Sequence, residues 1–173
     1  MTPLEAVSVD IGVNGRRVRA TVPATETLLE FLRERAGAVE VKQGCGKGDC
    51  GTCTVMLDGQ AVKSCLVLAA QADGKEVQTV KGLGEGELGR RLQESFVRKG
   101  AIQCGFCTPG MIVAAAALLG KNPRPGRQEI REAISGNLCR CTGYKKIVDA
   151  IEDAAERGTT ASVAGGDGDA GHR

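Results

Sequence analysis

Cysteine placement is the feature of this sequence that most limits what the chain can fold into. Eight of the 173 residues are cysteines, and they form two groups of four, one in each half of the chain. The first group has the spacing C-x4-C-x2-C-x11-C and the second has C-x2-C-x31-C-x-C. Each group therefore predicts a site where four sulfurs lie close together. The first group is Cys45, Cys50, Cys53 and Cys65, and the second is Cys104, Cys107, Cys139 and Cys141.

The first residues of the chain bear on where these thiols would be found. The opening Met-Thr-Pro-Leu-Glu-Ala-Val-Ser has neither the basic residues nor the apolar stretch of a secretory signal, so we expect a cytoplasmic protein. Disulfides are rare in that reducing compartment, where clustered cysteines more often bind metal or carry out redox chemistry. Disulfide pairing stays open as an alternative.

The first group is typical of a plant-type [2Fe–2S] cluster. Its loop must curl so that backbone amides point inward, and glycine permits the backbone conformations that side chains obstruct. Those amides and the nearby Lys47 would offset the negative charge of the cluster. A zinc site is the alternative, although zinc knuckles rarely contain so many glycines. The glycines around the ligands are Gly44, Gly46, Gly48 and Gly51.

The second group is less specific by spacing alone. Each of its two pairs precedes a predicted helix, and helix N-termini present free amides and positive potential that suit an anionic cluster. A second [2Fe–2S] centre is the favoured interpretation. Zinc remains an alternative for the whole group, and a redox-active dithiol for the Cys-Gly-Phe-Cys segment 104–107.

Hydrophobic periodicity divides the chain into a sheet half and a helical half. The first half predicts a hairpin of strands 4–11 and 18–22 around a turn at 12–15, and a helix that opens with a Thr27/Glu30 capping box and ends at Gly37. Further strands are predicted at 52–57, 60–65 and 75–80. This order indicates an α+β domain over residues 1–80, with one helix lying across a sheet.

The second half predicts four helices that would form a bundle. A glycine-rich segment at 81–87 separates it from the sheet as a linker, the helical domain spans 88–157, and the tail 158–173 lacks periodicity and is predicted to be disordered. The helix at 108–120 is apolar on all sides, so it is either the core of the bundle or partly an interface. The four helices are placed at 88–99, 108–120, 127–135 and 144–157.

Several classes of protein are disfavoured by composition. A net charge of only +2 argues against a protein that binds a nucleic-acid backbone. No apolar run approaches the roughly 20 residues of a membrane span. The single histidine, His172, lies in the tail, and no acid, base or nucleophile stands out, so no catalytic residue is expected in this chain.

Three segments together resemble the iron–sulfur portion of the molybdenum hydroxylases, the family of xanthine dehydrogenase, aldehyde oxidoreductase and aerobic carbon monoxide dehydrogenase. They are Gln-Gly-Cys-Gly-Lys-Gly-Asp-Cys-Gly-Thr-Cys at 43–53, Gln-Cys-Gly-Phe-Cys-Thr-Pro-Gly at 103–110 and Gly-Asn-Leu-Cys-Arg-Cys-Thr-Gly-Tyr at 136–144. The resemblance implies a β-grasp ferredoxin-like domain followed by a four-helix-bundle domain, each holding a [2Fe–2S] cluster through its four cysteines.

The resemblance also implies a direction for the electrons. The cluster of the helical domain would lie next to a molybdopterin, and the ferredoxin-like cluster would pass electrons onward, usually to a flavin. Gln103 and Cys141 stand where relatives contact the pterin. For Gln103, a loop amide that satisfies backbone groups is the alternative.

Nothing in the chain itself could supply the molybdenum site, a flavin fold or a substrate pocket. The resemblance therefore implies the small electron-transfer subunit of an oxidoreductase, with a large molybdopterin subunit and a medium FAD subunit as partners in a heterotrimer that can pair. A free-standing two-cluster ferredoxin is the alternative function.

Overall fold

The computed structural model describes residues 6–163, with side chains to 158. Its first half is a mixed five-stranded sheet of order β2-β1-β5-β3-β4. The outer hairpin β1/β2 and the hairpin β3/β4 are antiparallel, while β5 lies parallel to β1 and antiparallel to β3. The strands are β1 Ala6–Val13, β2 Arg16–Pro23, β3 Thr54–Leu57, β4 Gln60–Lys63 and β5 Glu76–Gln78.

The first hairpin is longer and its turn tighter than the sequence predicted. Only Asn14 and Gly15 make the turn, with φ of 52° and 76°, whereas the prediction gave it residues 12–15. Two consecutive positive φ values match the right-handed twist of the strands, so pairing continues up to Val13 and Arg16.

One helix crosses the sheet, as predicted. Helix α1, Leu28–Glu30, continues as a single π-helical turn over Phe31–Arg35. The predicted capping box is confirmed: the Thr27 hydroxyl accepts a hydrogen bond from the Glu30 amide at 3.2 Å, and the Glu30 carboxylate accepts one from the Thr27 amide at 2.8 Å. Apolar side chains of this helix are fully buried against the sheet.

The second half is helical and its four main helices were all predicted. They are α3 Glu87–Arg98, α4 Thr108–Lys121, α5 Arg127–Ile134 and α6 Lys145–Val163, preceded by the short α2 Val80–Leu83. Helix α2 lies largely inside the segment predicted as a linker. Hydrophobic periodicity predicts an apolar face of α3 that includes Leu92, Phe96 and Val97, but Val97 is 71% exposed.

Helix α6 corrects the predicted start of the disordered tail. The prediction began that tail at residue 158, but the helix continues to Val163. Extending an existing helix gains one hydrogen bond for each residue fixed, so Gly158 does not terminate it. Residues 164–173, including His172, lie outside the described residues.

Helix α4 holds the two halves together. It packs on β3 and β4 of the sheet and on α2, α3 and α5 of the bundle. Its buried side chains include Met111, Val113 and Ala115, which explains why the helix is apolar on all sides. The α+β architecture predicted from the sequence is confirmed. Within residues 6–163, no helix is both long enough and apolar enough to span a membrane.

Candidate metal centres

The loop before β3 carries three cysteines of the first set. Gly46, Gly48 and Gly51 have φ of 68°, 89° and 67°, so the loop curls through conformations that side chains rarely adopt. This curl turns the amides of Lys47 and Cys50 toward the sulfur of Cys45, at 3.5 and 3.4 Å. Those two donors lower the pKa of Cys45 to about 6.

The fourth cysteine of the first set, Cys65, lies just after β4. The prediction placed Cys65 at the end of a strand over 60–65, but β4 ends at Lys63 and Cys65 lies in a 3-10 turn, Ser64–Leu66. The Ser64 hydroxyl donates to the Cys53 carbonyl at 2.8 Å, which ties this turn to the ligand loop. The thiols of Cys53 and Cys65 interact there, at 2% and 7% exposure, and burial raises the pKa of Cys65 to about 11.

Charge compensation in this loop comes from amides rather than from the lysine. The sequence predicted that Lys47 would offset cluster charge, but its ammonium pairs with the Asp49 carboxylate at 3.2 Å and both side chains are exposed. The Gly48 amide also hydrogen-bonds to the Cys65 sulfur. The inward-pointing donors therefore carry the electrostatic role at this site.

The second set lies where two loops meet beside the start of a helix. Cys107 occupies the N-cap position of α4 without a side-chain capping hydrogen bond, whereas the Thr108-Pro109 pair in the sequence predicts Thr108 as the N-cap. The sulfurs of Cys104 and Cys141 are 3.6 Å apart, and the thiols of Cys107 and Cys139 also interact. Burial raises the pKa of Cys107 to about 12.

Thr142 and Tyr144 hold the loop that presents Cys139. Although burial opposes it, the Thr142 hydroxyl and amide, at 3.1 and 3.4 Å from the sulfur, lower the pKa of Cys139. The Tyr144 hydroxyl accepts a hydrogen bond from the Cys139 amide at 2.9 Å and donates to the Asn137 carbonyl at 3.4 Å. Sequence reasoning assigned no role to these side chains.

The eight sulfurs are free thiols and are arranged in pairs. Within residues 6–163, no three or more histidine, cysteine or acidic side chains surround the position of a single metal ion. A [2Fe–2S] cluster takes four cysteine thiolates, two at each iron. Paired sulfurs that accept amide hydrogen bonds therefore suit such a cluster at both sites. The pairs are Cys45 with Cys50, Cys53 with Cys65, Cys104 with Cys141, and Cys107 with Cys139.

The two ligand loops touch each other. The Leu138 amide donates to the Cys50 carbonyl at 2.9 Å, so one hydrogen bond separates a residue adjoining Cys139 from a cysteine of the first set. The Asn137 side chain donates to the Gly51 carbonyl at 2.8 Å. No sequence pattern indicates the contact between Asn137 and Gly51, because the two residues are 86 positions apart.

The second set opens onto the surface, whereas the first is partly enclosed. Cys104, Cys141 and Gln103 are exposed. Within the described residues the Gln103 side chain makes no hydrogen bond, so it does not satisfy backbone groups. The exposed large hydrophobic residues nearby in the chain are Ile102, Phe106 and Leu138.

Two family models match the chain in succession. The model described as a 2Fe-2S iron-sulfur cluster binding domain matches residues 11–83, and the model described as a [2Fe-2S] binding domain matches residues 79–152. Together they cover both cysteine sets.

Known proteins are similar along nearly the whole chain. The small subunit of nicotine 6-hydroxylase from Paenarthrobacter nicotinovorans is 51% identical, over 88% of this chain and 92% of that one. The iron-sulfur-binding subunit of xanthine dehydrogenase from Escherichia coli O157:H7 is 46% identical, over 88% and 97%. Among solved structures, quinoline 2-oxidoreductase from Pseudomonas putida 86 superposes with a TM-score of 0.83 at 45% identity, over 90% and 97%.

Proposed function

Because the chain belongs to the molybdenum hydroxylase family, as one of its iron–sulfur subunits, we propose that its two cysteine sets are the ligands of its two [2Fe–2S] clusters. Cys45, Cys50, Cys53 and Cys65 hold one cluster, and Cys104, Cys107, Cys139 and Cys141 hold the other. The observation that carries this proposal is the pairing of all eight sulfurs in two sites. The chain is the electron-transfer subunit of an oxidoreductase and contributes no substrate-converting residue.

The two sites divide the work by exposure. When bound, the clusters supply one-electron transfer, so the two electrons of a substrate oxidation can leave one at a time. The exposed site of Cys104 and Cys141 faces the molybdopterin of a large partner subunit, where Gln103 and Cys141 contact the pterin. The site of the sheet half passes electrons to a medium, FAD-binding subunit. This chain positions the two centres, excludes water from the buried sulfurs and donates amides to them.

The surface around the second site supports a docked partner. Ile102, Phe106 and Leu138 are 39%, 46% and 53% exposed near a site that a partner would need to approach. Apolar side chains that surround a functional opening are typical of an interaction surface. The two partner subunits form a heterotrimer with this chain, and two heterotrimers can associate as a pair. The eight free thiols support a cytoplasmic location.

The relatives support a relay that is common to many substrates. Proteins named for nicotine, xanthine and quinoline are similar to this chain at 51%, 46% and 45% identity. A free-standing two-cluster ferredoxin is the competing function. Copurification from the native host with large molybdenum and flavin chains is the expected result, and a lone monomer would favour the ferredoxin.

Reciprocal cysteine substitutions test the ligand assignment. Cys50→Ser should remove one of two iron signals in electron paramagnetic resonance, and Cys141→Ser should remove the other, because each serine weakens one pair only. Iron content should fall from four to about two per chain in each variant, since a [2Fe–2S] cluster holds two irons. Loss of both signals, or of neither, contradicts the assignment of two independent sites.

A further inference from the structure

The Asn137 side chain lies buried at the contact between the two ligand loops. It is 5% exposed, and its amide nitrogen donates to the Gly51 carbonyl at 2.8 Å and to the Thr54 hydroxyl at 3.3 Å. Gly51 stands between Cys50 and Cys53 of the first set, while Asn137 stands two residues before Cys139 of the second. One side chain therefore joins the backbones that carry both sets.

The contact leaves no room for the loops to shift toward each other. A Cβ added at Gly51 would lie 2.3 Å from the Gly136 carbonyl oxygen and 2.9 Å from the Asn137 Cα. A Cβ added at Gly110 of α4 would lie 2.5 Å from the Gly51 carbonyl oxygen. These close approaches set how near the loops can come, and the Asn137 hydrogen bonds oppose their separation.

Asn137 is itself held in place from the side of the second set. Its backbone carbonyl accepts the Tyr144 hydroxyl at 3.4 Å, and the same hydroxyl accepts the Cys139 amide at 2.9 Å. The next residue, Leu138, donates its amide to the Cys50 carbonyl at 2.9 Å. A displacement of the Asn137 side chain would therefore be passed to a ligand of each set through one or two hydrogen bonds.

We propose that Asn137 is a positioning residue that fixes the separation and relative orientation of the two clusters. This inference rests on the ligand assignment proposed above. Electron exchange and magnetic coupling between two centres both depend steeply on their distance. Without the Asn137 donor, the Gly51 carbonyl keeps only the Thr54 amide and hydroxyl, at 3.1 and 2.6 Å, as partners, and the loops lose the side-chain hydrogen bond that joins them.

Two substitutions isolate the donor from the volume of the side chain. Asn137→Ala removes both, while Asn137→Asp keeps the volume and replaces the donor by acceptors that face the Gly51 carbonyl. Both variants should keep two iron signals. In electron paramagnetic resonance, the splitting that each reduced cluster causes in the signal of the other should narrow or vanish. Electrons should also equilibrate more slowly between the clusters after rapid one-electron reduction.

Asn122→Ala is the matched control. Asn122 also donates through its amide nitrogen, to Glu129 at 3.1 Å, but it lies at the end of α4 and touches neither ligand loop. The Asn122→Ala variant should show the same signal splitting and the same rate of electron exchange between clusters as the parent protein. Should both Asn137 variants fail to accumulate, Thr54→Val tests the same junction, because it removes the second acceptor of Asn137 and the hydroxyl that donates to the Gly51 carbonyl at 2.6 Å. It is expected to narrow the splitting of the iron signals in the same direction.

The outcomes separate this inference from the assignment on which it rests. A parent protein with a single iron signal overturns both. Two iron signals with unchanged splitting and exchange rate in Asn137→Ala and Asn137→Asp overturn the role of Asn137 alone. Loss of one cluster from both variants also overturns it, because Asn137 would then serve one site rather than the spacing between two.

Discussion

Asp153 shows how a buried charge is stabilised in the helical half. Its carboxylate lies between α3 and α6, accepts the Ser95 hydroxyl at 2.7 Å, pairs with Arg98 and lies 3.4 Å from the Lys99 ammonium. Although burial opposes it, the hydrogen bonds from Arg98 and Ser95 lower the pKa of Asp153 to about 2. The folded state therefore prefers the charged carboxylate more strongly than the unfolded chain does.

Asp153→Asn should lower the free energy of unfolding by about 2 kcal/mol at pH 7. Because the folded pKa lies below the unfolded one, this contribution is present above about pH 4 and is lost as the pH falls towards 2. Denaturant unfolding of the parent and the variant across that pH range measures the difference between their free energies of unfolding. Glu94→Gln is the control, since the exposed pair of Glu94 with Arg157 contributes roughly 0–1 kcal/mol. A gap that does not depend on pH would contradict the role of the charge.

The sequence allowed the ligands to be proposed but not the residues that orient them. Cysteine spacing and glycine content indicate the first set, and the resemblance of the surrounding motifs to a known family indicates the second, without reference to tertiary structure. Asn137 and Tyr144 act through hydrogen bonds to backbone atoms, and Tyr144 adopts a φ of 66° that no local pattern indicates. Such contacts have no periodicity, so sequence reasoning passes over them.

At the scale of elements, the capping box stabilises a short helix whose geometry changes after one turn. Helix α1 has three residues before the π-helical turn begins, so few internal hydrogen bonds hold it. The reciprocal bonds of Thr27 and Glu30 satisfy two amides that the helix leaves without partners.

Thr27→Ala should lower the free energy of unfolding by about 1 kcal/mol, because it removes the acceptor for the Glu30 amide. Thr25→Ala is the matched control, since Thr25 is an exposed threonine just outside the helix. Thermal unfolding of the holoprotein compares the two. Equal melting temperatures would show that the cap does not limit stability.

Element types were predicted more reliably than element ends. All five strands and the main helices follow from hydrophobic periodicity, but β4 ends at Lys63 rather than at residue 65, and α6 passes beyond residue 157. Cys65 leaves the strand because its sulfur must turn toward Cys53. That requirement is tertiary, so the strand pattern alone cannot show it.

At the scale of the whole molecule, α4 makes the two halves one body. Gly110, at the N-terminal end of this helix, lies against the ligand loop, with its backbone close to the Gly51 carbonyl. Gly120, near the other end, has nothing within 4 Å of its added Cβ. The same substitution at these two positions therefore tests contact between the halves against helix propensity.

Gly110→Ala should destabilise the protein by about 1–3 kcal/mol, because the new methyl group would push the ligand loop away from the helix. Gly120→Ala should stabilise it by up to about 1 kcal/mol, since alanine favours the helix more than glycine does. Denaturant unfolding measures both changes. Equal effects of the two substitutions would contradict close packing at Gly110.

Removal of iron should destabilise both halves. Each half holds its own buried core, and each contains one set of four sulfurs. A ligand whose free concentration is a hundred times its Kd adds about 3 kcal/mol to the free energy of unfolding, and this contribution is lost when the metal is removed. Hydrogen exchange of apoprotein and holoprotein should show lost protection in the sheet and in the bundle. An apoprotein that melts as high as the holoprotein would contradict this expectation.

The unequal exposure of the two sulfur sets has a consequence for how oxidants reach them. Cys53 and Cys65 are sealed under the ligand loop, whereas Cys104 and Cys141 remain at the surface of the finished fold. Oxidation of a thiol depends on its exposure, so in a chain without partners a dissolved oxidant meets Cys104 and Cys141 before Cys53 and Cys65. A polypeptide that covered the outer pair would remove this difference.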